Sequence, residues 1–128
     1  MSECKVVKSG EAGEGKQGVM LERGLSAETV GAQAISMHLG TIPPGGISAA
    51  HKHDGHETVL YVLSGRAAME YGERLEQRVE AEPGDFLYVG AGVPHRASNL
   101  SDTEPTRFVV ARTDPSEQES VVLLPELE

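Results

Sequence analysis

From Val30 onward the chain is a succession of short segments rich in β-branched, aromatic and aliphatic residues, separated by Gly and Pro: "AISMHLGTI", "TVLYVL", "RAAMEYG", "RLEQRVE", "DFLYVG", "TRFVVAR" and "SVVLL". Pieces this short must pair with one another to bury their apolar faces. They predict an all-β barrel or sandwich. "PPGG" at 43–46 and "EPGD" at 82–85 fix where strands begin, because Gly accepts positive φ and Pro cannot donate to a ladder. Only 19–30, "VMLERGLSAETV", has room for a helical turn, and Gly24 weakens it. "RLEQRVE" alternates charged and apolar residues, with Leu75 and Val79 available to one side, and predicts a solvated hairpin strand. The final "SVVLL" predicts a strand that either closes this sheet or pairs with a partner chain, after which Pro125 blocks further pairing.

A length of 128 residues suits one domain. Residues 8–18, "KSGEAGEGKQG", have no apolar face to bury, so the expectation is a flexible arm over 1–17 and a single domain over 18–128. A formal charge of −9 opposes unspecific attraction to nucleic acid or to an anionic membrane, and neither is expected as a partner. Cys4 is the only cysteine, which excludes an intrachain disulfide, and nothing near it is built to activate the thiol. No stretch approaches the ~18 apolar residues of a membrane span, and the N-terminus lacks the apolar region of a signal peptide. A cytoplasmic protein is expected.

Three of the five histidines fall within six positions, in "HKHDGH" at 51–56. Residues i and i+2 of a strand share a face, so His51 and His53 aim at one point while Lys52 faces away. Two converging imidazoles are half a metal site, although such a pair also arises by chance. Downstream, "PGDFLYVGAGVPHRASN" supplies a turn, a short strand, a Gly-rich corner and then His95 at the start of another strand.

Read together, these stretches resemble the paired motifs of the cupin superfamily. Gly45, His51, His53, Glu57 and Gly65 lie close to the first motif, G(X)5HXH(X)3,4E(X)6G. Gly84, Gly92, His95 and Asn99 match the second, G(X)5PXG(X)2H(X)3N, with Gly90 in place of its Pro. The resemblance covers about residues 30–112 and extends to small single-domain bacterial cupins. It implies a single double-stranded β-helix, the jelly-roll barrel. It also implies one divalent transition metal, Fe, Mn, Ni, Zn or Cu, held by His51, His53, Glu57 and His95. One departure lies at the metal. Counting back from Gly65 puts Thr58 in the ligand register, whereas counting on from His53 selects Glu57. One residue of slip turns a side chain to the opposite face, so Glu57 can ligate only if a bulge absorbs it. His56 shares parity with Thr58 and is the alternative ligand; a third arrangement has only His51, His53 and His95, with water completing the shell.

Three or four protein ligands on a six-coordinate ion leave positions where a bidentate substrate, or substrate and O₂, can meet. A saturated tetrahedral zinc would be structural instead. The chain has no GxSxG, no phosphate-binding Gly loop and no CxxC, so any chemistry is metal-centred. The leading expectation is a dioxygenase-like oxidoreductase acting on a small organic substrate. The alternatives implied by the resemblance are a non-catalytic ligand-binding or sensing module and a metal-dependent isomerase, decarboxylase or lyase. A homodimer is also expected, through an exchanged edge strand from 18–40 or "SVVLL".

Packing is the expected role of Tyr61, Tyr71, Tyr88, Phe86 and Phe108, with Tyr61 turned outward if Thr58 faces inward. His38 is expected to be satisfied by a neighbour rather than to act as a further ligand. Arg66 and Arg96 could contact a carboxylate substrate, though solvent-facing strand positions explain them equally well.

Overall fold

Strands form where apolar residues recur at every second position. In the computed structural model, which describes residues 3–8, 12–14, 18–117 and 119–128, they are β1 (Ala12–Glu14), β2 (Met20–Leu25), β3 (Ser36–Ile42), β4 (His51–His53), β5 (Thr58–Ser64), β6 (Ala67–Tyr71), β7 (Gln77–Ala81), β8 (Phe86–Val89), β9 (His95–Asn99), β10 (Thr106–Arg112) and β11 (Val121–Leu123). One helical turn, α1 (Ala27–Val30), follows β2. The strands make two antiparallel sheets, ordered β1-β2-β3-β10-β5-β8 and β11-β4-β9-β6-β7. This is the expected all-β jelly-roll.

The central strand β10 shows how the interior is built. Phe108 lies opposite Gly40 and Val62, Val110 opposite His38 and Leu60, and Arg112 opposite Ser36 and Thr58. All three β10 residues are buried, because side chains two apart share a face. The Phe108 ring packs where a side chain at position 40 would stand, which requires Gly40. Val19, Leu21 and Ile42 complete the cluster with Phe108 and Val110, each contributing roughly 1.5–3 kcal/mol by burial. Gly65 turns β5 into β6 at φ 80°, and a Cβ there would stand 2.6 Å from the Pro105 carbonyl oxygen. Backbone conformation and lack of space both demand glycine.

Several expectations change in detail. Within 19–30, Met20–Leu25 becomes a strand and only Ala27–Val30 turns helical, started by reciprocal Ser26 and Thr29 hydrogen bonds and ended by Gly31 at φ 73°. "RLEQRVE" begins as a turn: Leu75 sits at φ 55° and is buried, its N–H donating to the Gly72 carbonyl at 3.1 Å, whereas Val79 lies on strand β7 and is 37% exposed. The two therefore do not share a face. The stretch read as an arm contributes β1, paired with β2, while its residues 9–11 and 15–17 lie outside those described. β2 and β3 pair with each other, and β11 pairs with β4. The last strand thus takes the first of the two roles expected of it and joins a sheet of its own chain. No helix among the described residues is long and apolar enough to cross a membrane.

Candidate metal centre

Three imidazoles meet inside one end of the barrel. β4 alternates buried, half-buried, buried, which sends His51 and His53 inward and Lys52 outward to Asp54 at 3.5 Å. β9 pairs with β4 so that His95 lies directly opposite His51. The Gly92 N–H donates to the His53 carbonyl at 3.0 Å, tying the Gly-rich corner before His95 to the other ligand strand. The ring centroids of His51 lie 5.0 Å from those of His53 and 4.2 Å from those of His95, and His53 and His95 are 5.5 Å apart. One nitrogen from each ring lies within 4.8 Å of the others.

Each ring is oriented by its other nitrogen. Nδ1 of His51 donates to the Ala49 carbonyl at 2.7 Å, Nδ1 of His95 to Val93 at 3.0 Å, and Nδ1 of His53 to Glu119. A carbonyl can only accept, so each Nδ1 carries the proton and each Nε2 keeps a free lone pair. Burial is the main force holding all three neutral. It lowers His51 to about 3, with the His95 and Arg112 charges adding to it. His53 falls to about 2, where Arg112 is the next cause, and His95 to about 4. Nε2 of His53 is buried without a hydrogen-bond partner. An orphaned buried lone pair is costly unless an ion takes it, and three neutral imidazoles with fixed tautomers fit a divalent transition metal.

Neither candidate fourth ligand joins them. Glu57 precedes β5 on the surface, where its carboxylate accepts the Tyr88 hydroxyl at 2.5 Å and holds that phenol above its ordinary value. Nδ1 of His56 donates to the Thr113 carbonyl at 2.8 Å, and its Nε2 lies 3.9 Å from Asp114. The slip between the motif halves is resolved in favour of Thr58, the buried first residue of β5.

The Thr58 hydroxyl accepts the Nε–H of Arg112 at 3.0 Å. Arg112 is 7% exposed, lies opposite Thr58 on the neighbouring strand β10 of the sheet that faces the imidazoles, and pairs through Nη1 with the carboxylate of Glu119, itself only 1% exposed. Burial pulls the Arg112 guanidinium down to about 10, so it stays cationic at neutral pH. A cavity of about 40 Å³ lies between the cation and the imidazoles, with His51, His95, Thr58, Val110 and Arg112 in its wall. Beside it a second cavity of about 320 Å³ runs past Tyr71, Leu87, Tyr88 and Val93, and Met69 and Val89 line both.

The remaining expectations fall outside this site. Tyr61 faces outward, its ring 4.8 Å from Phe86, as the inward Thr58 requires. Packing describes Phe108 but not Phe86, which is 82% exposed on the edge strand β8. Nδ1 of the buried His38 accepts the Gly24 N–H at 3.0 Å, and His38 does not reach the three-histidine group. Arg66 pairs with Glu80 at 3.1 Å and Arg96 with Glu70 at 2.8 Å, away from the cavity. Asn99 is a structural residue: its amide lies 2.7–3.2 Å from the carbonyls of Ile42, Pro43 and Glu104 and pins two loops. Sequence reasoning missed Arg112 and Glu119. Parity with Phe108 and Val110 marked Arg112 as inward, but a loop glutamate carries no such signal.

A jelly-roll with three inward imidazoles on adjacent strands is the frame of a metal-binding β-barrel. The chain belongs to the cupin family, whose Cupin domain model matches residues 38–112. The uncharacterized protein MJ1618 of Methanocaldococcus jannaschii is 26% identical over 83 residues, covering 65% of this chain and 63% of that protein. The chain therefore spans a little under two thirds of that relative. Among solved structures, the Lactobacillus farciminis oxalate decarboxylase formate complex superposes with a TM-score of 0.74 at 22% identity, over 89% of this chain and 33% of that one. A Bacillus subtilis oxalate decarboxylase structure described for its Mn(II) centres superposes with a TM-score of 0.74 at 23% identity, over 89% and 30%. At such identity the likeness is one of fold.

Proposed function

We propose that His51, His53 and His95 hold one divalent transition metal and that the chain is a metal-dependent enzyme acting on a small organic substrate. One observation carries this reading: three buried, neutral imidazoles, each oriented by a backbone carbonyl, converge beside a small cavity. A metal there supplies Lewis acidity and, where it is redox-active, a place for O₂ to react. The protein's own residues exclude bulk water, fix the tautomers and present Arg112 to whatever enters. Oxygenase-type chemistry is the leading reading, because three protein ligands leave room for substrate and O₂ together.

Decarboxylation is the second reading. A cavity of about 40 Å³ with a buried guanidinium in its wall suits a small carboxylate better than a large aromatic substrate. The oxalate decarboxylases that share the fold act on such a molecule. The test begins with elemental analysis of protein purified without chelator or histidine tag, against a His51→Ala/His95→Ala variant. About one equivalent of metal, absent from the variant, is expected; a metal-free wild type that also refuses added metal rejects the reading. Fe(II) loading without air, then O₂, is expected to give substrate-dependent oxygen uptake across a panel of small acids and thiols. Release of CO₂ without oxygen uptake selects the second reading.

The protein is further proposed to be a cytoplasmic homodimer. Val59, Leu63, Phe86 and Tyr88 expose apolar surface on the outer face of the six-stranded sheet, which supports the dimer. A monomeric mass by light scattering at micromolar concentration rejects the dimer.

A further inference from the structure

Glu119 is the largest fully buried side chain among the described residues, yet it belongs to no strand. It follows β10 in a turn, at φ 60°, with its N–H donating to the Ser116 carbonyl at 3.1 Å. Its carbonyl oxygen accepts from His53, and its carboxylate pairs with Arg112. One residue therefore touches both the imidazole cluster and the cation in the cavity wall. Arg112 is held by a second partner, the Thr58 hydroxyl on its Nε, so its Nη groups are left to meet an anion.

The charge balance asks for one. With Glu57 turned out to Tyr88, no carboxylate among the described residues joins the three histidines. A divalent ion together with Arg112, offset by Glu119 and by the buried Asp114 whose charge acts on Arg112, still leaves one positive charge at the cavity. Low-dielectric surroundings make such an excess costly until an anion enters. Glu119 also shows which anion the guanidinium accommodates, since the fork of Arg matches the two oxygens of a carboxylate.

We propose that Arg112 is the anchor for the carboxylate of a small carboxylic acid, and that Glu119 occupies this anchor in the free protein as an internal stand-in for the ligand. The arriving carboxylate takes the guanidinium, and Glu119 leaves it. The other end of the acid then points across the cavity toward His51 and His95. This deepens the metal-centred reading and rests on it for the ligand's orientation, but the exchange on Arg112 is measurable without metal.

The test uses the full chain, both metal-free and loaded with Zn(II), with metal content determined on each sample. Acetate and oxalate are the probes, and acetamide is the uncharged control. Wild type, Glu119→Gln, and Glu119→Gln combined with Arg112→Met are compared by isothermal titration and thermal melting. Removing the internal competitor should tighten carboxylate binding by about tenfold or more, the scale of one desolvated ion-pair exchange. The destabilised Glu119→Gln protein should regain its melting temperature with acetate or oxalate but not with acetamide, and the double variant should bind neither acid. Equal affinities in wild type and Glu119→Gln, or no rescue, overturn the proposal in favour of a purely structural ion pair.

Should the variants not fold, wild type alone decides. A protease that cleaves after glutamate should cut after Glu119 faster as carboxylate saturates, because the displaced side chain becomes accessible. Unchanged cleavage at saturating carboxylate overturns the exchange, as does the absence of carboxylate binding. If carboxylates bind as predicted to protein that takes up no metal, the anchor stands and the metal-centred reading falls.

Discussion

The two ends of the barrel interior are made from the same strands and differ in what closes them. At one end Ile42, Val62, Ala68, Ala81 and Phe108 surround a cavity of about 30 Å³ with no polar lining group but the hydroxyl of Thr106, which is spent on the Arg66 carbonyl at 3.0 Å. At the other end the walls carry His51, His95, Thr58 and Arg112. Strand β10 passes from one regime to the other within four inward positions, from Thr106 through Phe108 and Val110 to Arg112. The apolar end needs only shape, since dispersion and burial are non-directional. The histidine end needs partners for every polar atom, and several come from loops rather than the sheets. Ala49, Val93 and Glu119 orient the imidazoles, and Glu119 also compensates Arg112. Chemistry is concentrated where the sheet alone cannot satisfy what it buries.

The largest effect that sharpens this contrast is loss of ligands. Replacing both His51 and His95 by Ala should weaken metal binding by more than about a hundredfold, read by competition with a chromogenic chelator. A variant that keeps its metal breaks the assignment of the polar end.

Acid separates the ends next. The folded histidines lie at about 3, 2 and 4, below the unfolded value of 6.5, so the unfolded chain binds more protons between these limits. Stability of the metal-free protein is therefore intact above pH 6.5 and lost as pH falls toward 4. With three such groups the slope approaches about 4 kcal/mol per pH unit. Denaturant melts from pH 7 to 5 measure it, and a flat profile contradicts neutral buried imidazoles.

Breaking the buried ion pair ranks third. Arg112→Met alone should cost about 3–5 kcal/mol by leaving Glu119 unpaired, whereas Arg112→Met with Glu119→Leu should recover most of that loss. At the apolar end, Ile42→Ala should cost about 2–4 kcal/mol in the same melts without changing metal content. The smallest effect is expected at Glu57→Gln. It only takes the charge from a surface hydrogen bond whose acceptor oxygen the amide still supplies to the Tyr88 hydroxyl, so stability and metal content stay essentially unchanged. Metal loss in that variant returns Glu57 to the ligand set.

Much of this was legible in the sequence because it depends on local rules. Period-2 alternation in "TRFVVAR" and "TVLYVL" and the breakers at 43–46 and 82–85 determined an all-β chain. Spacing by two residues determined that His51 and His53 point together. What lay beyond it is non-local. The two halves of the first motif disagreed by one position, and only the pairing of β5 with β10 and β8 decided that Thr58 turns inward and Glu57 outward. Parity turned Arg112 inward, but its partners are non-local: Thr58 comes from the pairing of β5 with β10, and Glu119 from the turn that folds back over the cavity. Glu119 sits in a turn, where no periodicity constrains direction, and only tertiary packing could place its carboxylate inside. Alternation along a strand is set by the covalent chain. Which charge a cavity encloses is set by what folds across it.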